Sequence, residues 1–390
     1  MTIKTLHTVQ RTVPATPAAS GRQRTIKRET ALFQSPVTRY GAVALTFAAI
    51  VIPLITNDPF VLALGITVGI FSIGAVGLNV LNGYSGQISL AQPFFLAVGA
   101  FTAVGIGGVL QLPLPVWILA SAVAGGLAGF VVAPFALRLR GVYQIVLSLG
   151  LIYIGYYIFV NWKSLTGGNV GTRASLNMHL GPIDLGALSL GNMLYSYQQG
   201  LFMVVWVLVA ASMFLVHRIL KSSTGRSMVA LRDSDLAARV AGVNSFRTLS
   251  SAFIISSALG GVAGALYVTQ LRYVSIEQFN LVMALQFVII VTVGGLGTAW
   301  GPVIGSLVIC SIPLLAGRVA GVLPFLKTDS AAPNSGFGIP AGQFSILVYG
   351  LLLILVLLFE PKGLVNIFSQ LGTKIRDVVC GNRRRTTTTE

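Results

Sequence analysis

Charge is what this sequence has least of. Its 390 residues include 26 Lys+Arg and 10 Asp+Glu, so charged side chains make up 9% of the chain, against roughly 25% in an average soluble protein. That is too few to coat a globule of this size, and a cytosolic enzyme is excluded. Cysteine is scarce as well. Cys310 and Cys380 stand far apart with no ligand-like spacing, which excludes a disulfide scaffold and a zinc site. Histidine is limited to His7, His179 and His217, which fall in a tail, an outer loop and a span end and read as solvated or interfacial side chains. Neither H-E-x-x-H nor the phosphate-cradling G-x-x-x-x-G-K-[ST] occurs. No metal, no cofactor and no catalytic residue is expected, and the chain does not read as an enzyme.

What the sequence has in excess is apolar length. Hydrophobic residues reach 54%, and they come in blocks of about 20 almost free of ionisable groups, the signature of membrane-spanning helices. Ten candidate spans follow, at 40–56, 59–81, 88–110, 116–137, 142–160, 200–216, 250–270, 278–293, 301–316 and 343–359. The 44 glycines fit the same class, because small residues let membrane helices approach closely. The expected fold is therefore all-α and polytopic, with a transmembrane domain over 40–360 between a basic, disordered tail at 1–39 and a polar carboxyl tail at 361–390. The first tail contains no apolar run and is not a secretory signal; its composition also resembles that of an organellar transit peptide.

A net charge of +16 raises the question of nucleic acid, and the positions of the charges answer it. With both termini placed inside, 21 of the Lys and Arg residues fall in inner segments and five (Lys163, Arg173, Arg272, Arg318 and Lys327) fall outside. Cytoplasmic loops retain positive charge. The basicity is a topology signal, and no nucleic-acid partner is needed. An outer loop then occupies 162–198 and an inner segment 221–247.

Two junctions stay open at this level. The links 82–87 and 294–297 carry no charge, so each flanking pair is either two crossings or one hairpin returning to the outer face, which gives eight to ten spans. The second link is broken by Gly294, Gly295, Gly297, Gly301 and Pro302. Interrupted segments at membrane depth are tolerated where buried in protein or lining a cavity, and they point to a transport path; the competing reading is a tight turn between ordinary spans. The span interiors carry no Asp, Glu, Lys, Arg or His. That argues against a proton relay and places the energy source on another chain.

The inner segment 221–247, KSSTGRSMVALRDSDLAARVAGVNSFR, is too polar to span. Thr224 or Ser227 can cap a helix start, and Val229, Leu236, Val240 and Val243 share one helical stripe flanked by Arg232, Asp235 and Arg239. Gly242 and Asn244 supply a stop. A short amphipathic helix is expected, either lying on membrane lipid or docking into a partner protein.

At this point the motifs become specific. The run LNVLNGYSGQISLAQPFFLAVGAFTAV (78–104) is similar to the G-L-N-x-x-x-G-Y-x-G-Q-x-S-L segment of bacterial branched-chain amino acid ABC importer permeases. GRSMVALRDSDLAARVAG (225–242) resembles their coupling motif E-A-A-x-x-x-G: Ala237, Ala238 and Gly242 match, Leu236 replaces the Glu, and Asp235 stands one position early. GGVAGALY (260–267), VGGLGTAWGPVIG (293–305) and LVYGLLLILVLLFEPKGL (347–364) match in order, and TGGNVG (166–171) resembles an outer loop of the M-type permease of the Leu/Ile/Val system.

The resemblance implies a permease subunit in the bacterial inner membrane. Its implied partners are a homologous permease completing a heterodimer, two cytoplasmic ABC ATPases and an extracytoplasmic substrate-binding protein. Coupling to the ATPases is then expected at Arg232, Asp235, Ala237, Ala238, Arg239 and Gly242. For the path, uncharged polar side chains are the candidates, because a zwitterion or amide needs hydrogen bonds and a fixed charge traps it. They are Asn79, Asn82, Tyr84, Gln87, Ser89 and Gln92 in the first glycine-rich stretch, with Gln286 and Thr292 near the second. Each also fits plain interhelical hydrogen bonding. The cargo implied is a branched-chain or other small hydrophobic amino acid. Urea, short amides or other small organic solutes are the alternative, as is a passive small-solute pore.

Overall fold

Helices that are apolar on every side are buried as readily in lipid as in protein, so small residues decide which faces meet. A computed structural model describes residues 58–139, 141–176, 178–180, 196–319 and 341–359, with short pieces at 183–184, 189–190, 193–194, 326–327 and 339–340. The expected span at 40–56, both tails and much of the outer loop lie outside the described residues.

The architecture is all-α, as the composition predicts. Helix α1 (Pro59–Asn79) starts where the Asp58 carboxylate accepts the Phe60 N–H at 3.0 Å and Pro59 fits the first helical position. It runs on through a π-helical turn, Val80–Tyr84. After a stretch without regular structure come α2 (Gln92–Ala103), which also ends in a π-helical turn, α3 (Leu114–Ala136) and α4 (Val142–Asn161). Then follow α5 (Tyr197–Lys221), α6 (Ser223–Asp233), α7 (Asp235–Val240) and α8 (Ser245–Leu271). The last described helices are α9 (Leu281–Gly294), α10 (Gly301–Val319) and α11 (Ala341–Phe359). Every expected span from 59–81 onward coincides with a helix. Six described helices (α1 to α5 and α8) are long and apolar enough to cross a membrane, while α9 and the first part of α10 are shorter.

Helix α8 is the hub. Its Gly264 meets the Leu96 carbonyl of α2, and its Gly261 meets the Ser121 carbonyl of α3. At both places a single added carbon would strike backbone, so the helix axes come close only because the side chain is a hydrogen. Gly125 and Gly129 of α3 face Ser257 of α8 in the same way. The opposite edge of α3 exposes Leu119, Val123, Leu127 and Phe130. Aromatic packing ties α1 to α9 and α8: Phe71 stacks on Phe287 with ring centroids 5.0 Å apart and meets Tyr267 edge-on at 6.2 Å.

The loop after α4 is stitched to the end of α8. Thr172 and Arg173 pair antiparallel with Val274 and Tyr273, and the Ala174 N–H donates to the Arg272 carbonyl at 3.0 Å. The TGGNVG turn precedes this pair. Thr166 is fully buried and donates to the Phe159 carbonyl, and Gly167, Gly168 and Gly171 all take positive φ.

The 221–247 segment differs from the single helix expected. It forms two helices, because Ser234 is extended (φ −163°, ψ 108°) and its hydroxyl accepts the Ala237 N–H at 3.3 Å, starting a new helix. The first cap is Ser222, which accepts the Gly225 N–H at 3.4 Å, in place of Thr224 or Ser227. The break resets the helical phase, so Val229 does not share a stripe with Leu236 and Val240. Met228 and Leu231 are the buried apolar side chains of α6 instead. The expected stop holds: Gly242 takes φ 82°, and Asn244 caps α8 by accepting the Arg247 N–H at 3.1 Å.

Candidate functional site

The two glycine-rich links, more than 200 residues apart in sequence, meet in space. Asn79 joins them: its Oδ1 accepts the Gly297 N–H and its Nδ2 donates to the Thr298 carbonyl, each at 2.8 Å. Both partners are backbone groups with no helical partner of their own, since α9 has ended and Gly295 and Gly297 take φ 117° and 73°. Gly83 lies so close to Gly297 that a Cβ there would fall on the Gly297 nitrogen and on Asn79 Oδ1. Thr298 closes the second link, donating to the Gly295 carbonyl at 2.7 Å and accepting the Gly301 N–H at 3.1 Å.

On the first link, residues 86–91 carry no regular secondary structure, and Gly86 takes φ 69°. Asn82 Oδ1 accepts the Ser89 N–H at 3.1 Å, and Ser89 Oγ accepts the Ala91 N–H at 3.2 Å. Ser148 of α4 supports the same stretch, its hydroxyl accepting the Leu90 N–H at 3.0 Å. Gln87 is half-buried beside it, while Tyr84 and Ser89 are buried.

Of the residues singled out from sequence, Asn79, Asn82, Tyr84, Gln87 and Ser89 are thus gathered on or beside the first link. Gln92 is tied elsewhere. Its Nε2 donates to the Gly74 carbonyl at 2.9 Å and its Oε1 accepts from Ser256 at 3.4 Å, joining α1, α2 and α8 at a buried crossing. Gln286 lies eight residues before Gly294, about 12 Å back along α9, and faces the Tyr349 hydroxyl at 3.5 Å. Thr292 is half-buried in the last turn of α9. Sequence reading missed Ser148 and Thr298, since a lone hydroxyl in an apolar run carries no signal until its partner is known.

The 221–247 segment divides its residues between two directions. Arg232 of α6 turns toward the links and donates from Nη1 to the Gly83 carbonyl at 2.8 Å. On α7, Arg239 bonds Asp235 at 2.9 Å and Ser245 at 3.2 Å, bracing the turn around the exposed Gly242. Ala238 is buried and Ala237 is exposed, while Leu236 and Val240 present 76% and 84% of their surface to solvent. Leu236 and Val240, four residues apart on this short helix, form a bare apolar pair.

Chemically, the links offer carbonyls, amides and uncharged side chains on broken helices enclosed by apolar ones. That arrangement hydrogen-bonds a small polar group and supplies no nucleophile or proton relay. Fold and site together define a membrane-embedded transport subunit. Residues 60–357 match the family described as branched-chain amino acid transport system / permease component, and the chain belongs to that family. It is an inner-membrane permease subunit and not itself an enzyme.

Among its relatives is the permease protein LivM of the high-affinity branched-chain amino acid transport system of Salmonella typhimurium, 30% identical over 315 residues, 76% of this chain and 68% of that one. LivM of Escherichia coli is likewise 30% identical, over 313 residues with the same shares. BraD of Pseudomonas aeruginosa, a permease protein of the same kind of system, is 25% identical over 312 residues, 77% of this chain and 94% of that one. No solved structure matches the chain.

Proposed function

We propose that this chain is the conduit subunit of an ATP-driven importer that carries branched-chain or other small hydrophobic amino acids across the inner membrane. The observation that carries the reading is the meeting of two broken, uncharged helix links inside a family of branched-chain amino acid permease components. Asn82, Gln87 and the irregular backbone at 86–91 are the groups we assign to the path, with Asn79 holding the two links together. Gln92 we assign to helix packing.

Energy enters from ATPase subunits seated on α7, whose exposed Leu236 and Val240 fit an apolar groove. A homologous permease completes the membrane dimer, and a substrate-binding protein delivers cargo to the face bearing the Thr172–Arg173 and Tyr273–Val274 pair. Because Arg232 of the inner segment reaches Gly83 and lies beside Gly297, both links belong at the inner face. Each flanking helix pair then reads as two crossings, and neither as a hairpin returning outward.

The test is uptake by the complete assembly in proteoliposomes. ATP-dependent accumulation of labelled leucine, displaced by unlabelled isoleucine and valine, is expected. Uptake displaced only by urea or short amides would reassign the cargo, and flux through the purified chain without ATP would replace the importer by a pore.

A further inference from the structure

A helix ends in carbonyls without intrahelical partners and in partial negative charge, so a cation is favoured there. The last turns of α1 and its π extension contain no basic residue. The cation comes from 149 residues further along the chain, where Arg232 of α6 donates to the Gly83 carbonyl. Three glycines make its seat. A Cβ on Gly297 would stand 2.9 Å from Arg232 Nη1, one on Gly86 would stand 3.0 Å from Arg232 Cγ, and Gly83 carries the accepting carbonyl. Asp233, also exposed, stands 3.9 Å from the guanidinium. One side chain of the inner segment therefore touches both broken links at the point where Asn79 clamps them.

We infer that Arg232 is a positioning residue for transport: it latches α6 onto the paired links, so that displacement of the α6–α7 segment by a partner opens or closes the inner end of the path. This rests on the reading of the chain as an ATP-driven conduit. Arg232 acts through Gly83 and Gly297 and does not meet the cargo. With the guanidinium removed, α6 moves without moving the links.

The complete importer in proteoliposomes tests this, with ATP hydrolysed and labelled leucine accumulated measured in the same vesicles for wild type, Arg232→Gln and Arg232→Lys. In Arg232→Gln the ATPases are expected to co-purify and to hydrolyse ATP, while leucine carried per ATP falls about tenfold, the scale of one lost hydrogen bond to a charged group. Arg232→Lys keeps the cation and recovers part of the loss, to about threefold below wild type. A purely structural role lowers both rates together and leaves their ratio unmoved, which would overturn the latch. Should Arg232→Gln fail to accumulate, Arg232→Lys decides, and a wild-type ratio there overturns it equally. Absence of ATP-driven uptake by the wild-type assembly refutes the importer reading itself, before any substitution is compared.

Discussion

Asn79 does more than its neighbours because it holds both a donor and an acceptor at the place where two helices stop. Interhelical side-chain hydrogen bonds in membrane proteins average about 0.6 kcal/mol, but these two satisfy backbone groups that have lost their helical partners. Leaving such groups unpaired raises the cost. Asn79→Ala is expected to lower stability in detergent by about 1 to 2 kcal/mol, read as a drop in the unfolding midpoint. Asn79→Asp keeps the acceptor for Gly297 but sets a carboxylate against the Thr298 carbonyl, so it should be the worse of the two. Equal stability of all three proteins would show that the links are held by other contacts. Arg239 and Asp235 mark the opposite case, since an exposed i,i+4 pair adds only about 0.3 to 0.5 kcal/mol.

At the level of the helix, packing is set by where side chains are missing. Gly264→Val places carbon against the Leu96 carbonyl at the centre of the bundle, and the expected result is loss of folded protein from the membrane, a cost above about 3 kcal/mol. Gly150 of α4 has nothing within 4 Å of an added Cβ, so Gly150→Ala should be neutral or stabilising by up to about 1 kcal/mol. Thermal denaturation of the two variants side by side checks the contrast. If they behave alike, close approach is not what makes the glycines necessary.

The same contrast explains what could be read in advance. Helix positions were legible because 20-residue apolar blocks have few other uses. Which face of α3 is buried was not legible from hydrophobicity, as Leu119 and Leu127 face outward while Trp117 and Ser121 face inward. The Ser234 break in the inner helix was hidden for a related reason. Serine tolerates both helix and cap, and the Leu236–Val240 stripe looked continuous with Val229 until the hydroxyl was seen bonded to the Ala237 N–H. Of the polar candidates, Asn79 and Asn82 found partners across or along the broken links. Gln92, equally uncharged and only one helical turn beyond Ser89, belongs to a helix crossing.

For the whole molecule, the account requires one subunit to provide a conduit and to receive force at a single inner elbow. The proposed docking surface supplies a prediction of its own. Leu236→Asp combined with Val240→Asp changes two exposed side chains and no buried one, so the chain should fold normally while ATPase co-purification falls at least about tenfold, as expected for apolar anchors lost from an interface centre. Retained association would move the docking site elsewhere.

The central claim is tested most directly by the sidedness of that elbow. A Val240→Cys chain in sealed vesicles is exposed to a membrane-impermeant maleimide, with Cys310 and Cys380 replaced by serine. Labelling is expected from the cytoplasmic side alone and is expected to be blocked when the ATPase subunits are bound. Labelling from the exterior side, or labelling untouched by the ATPases, would contradict the account.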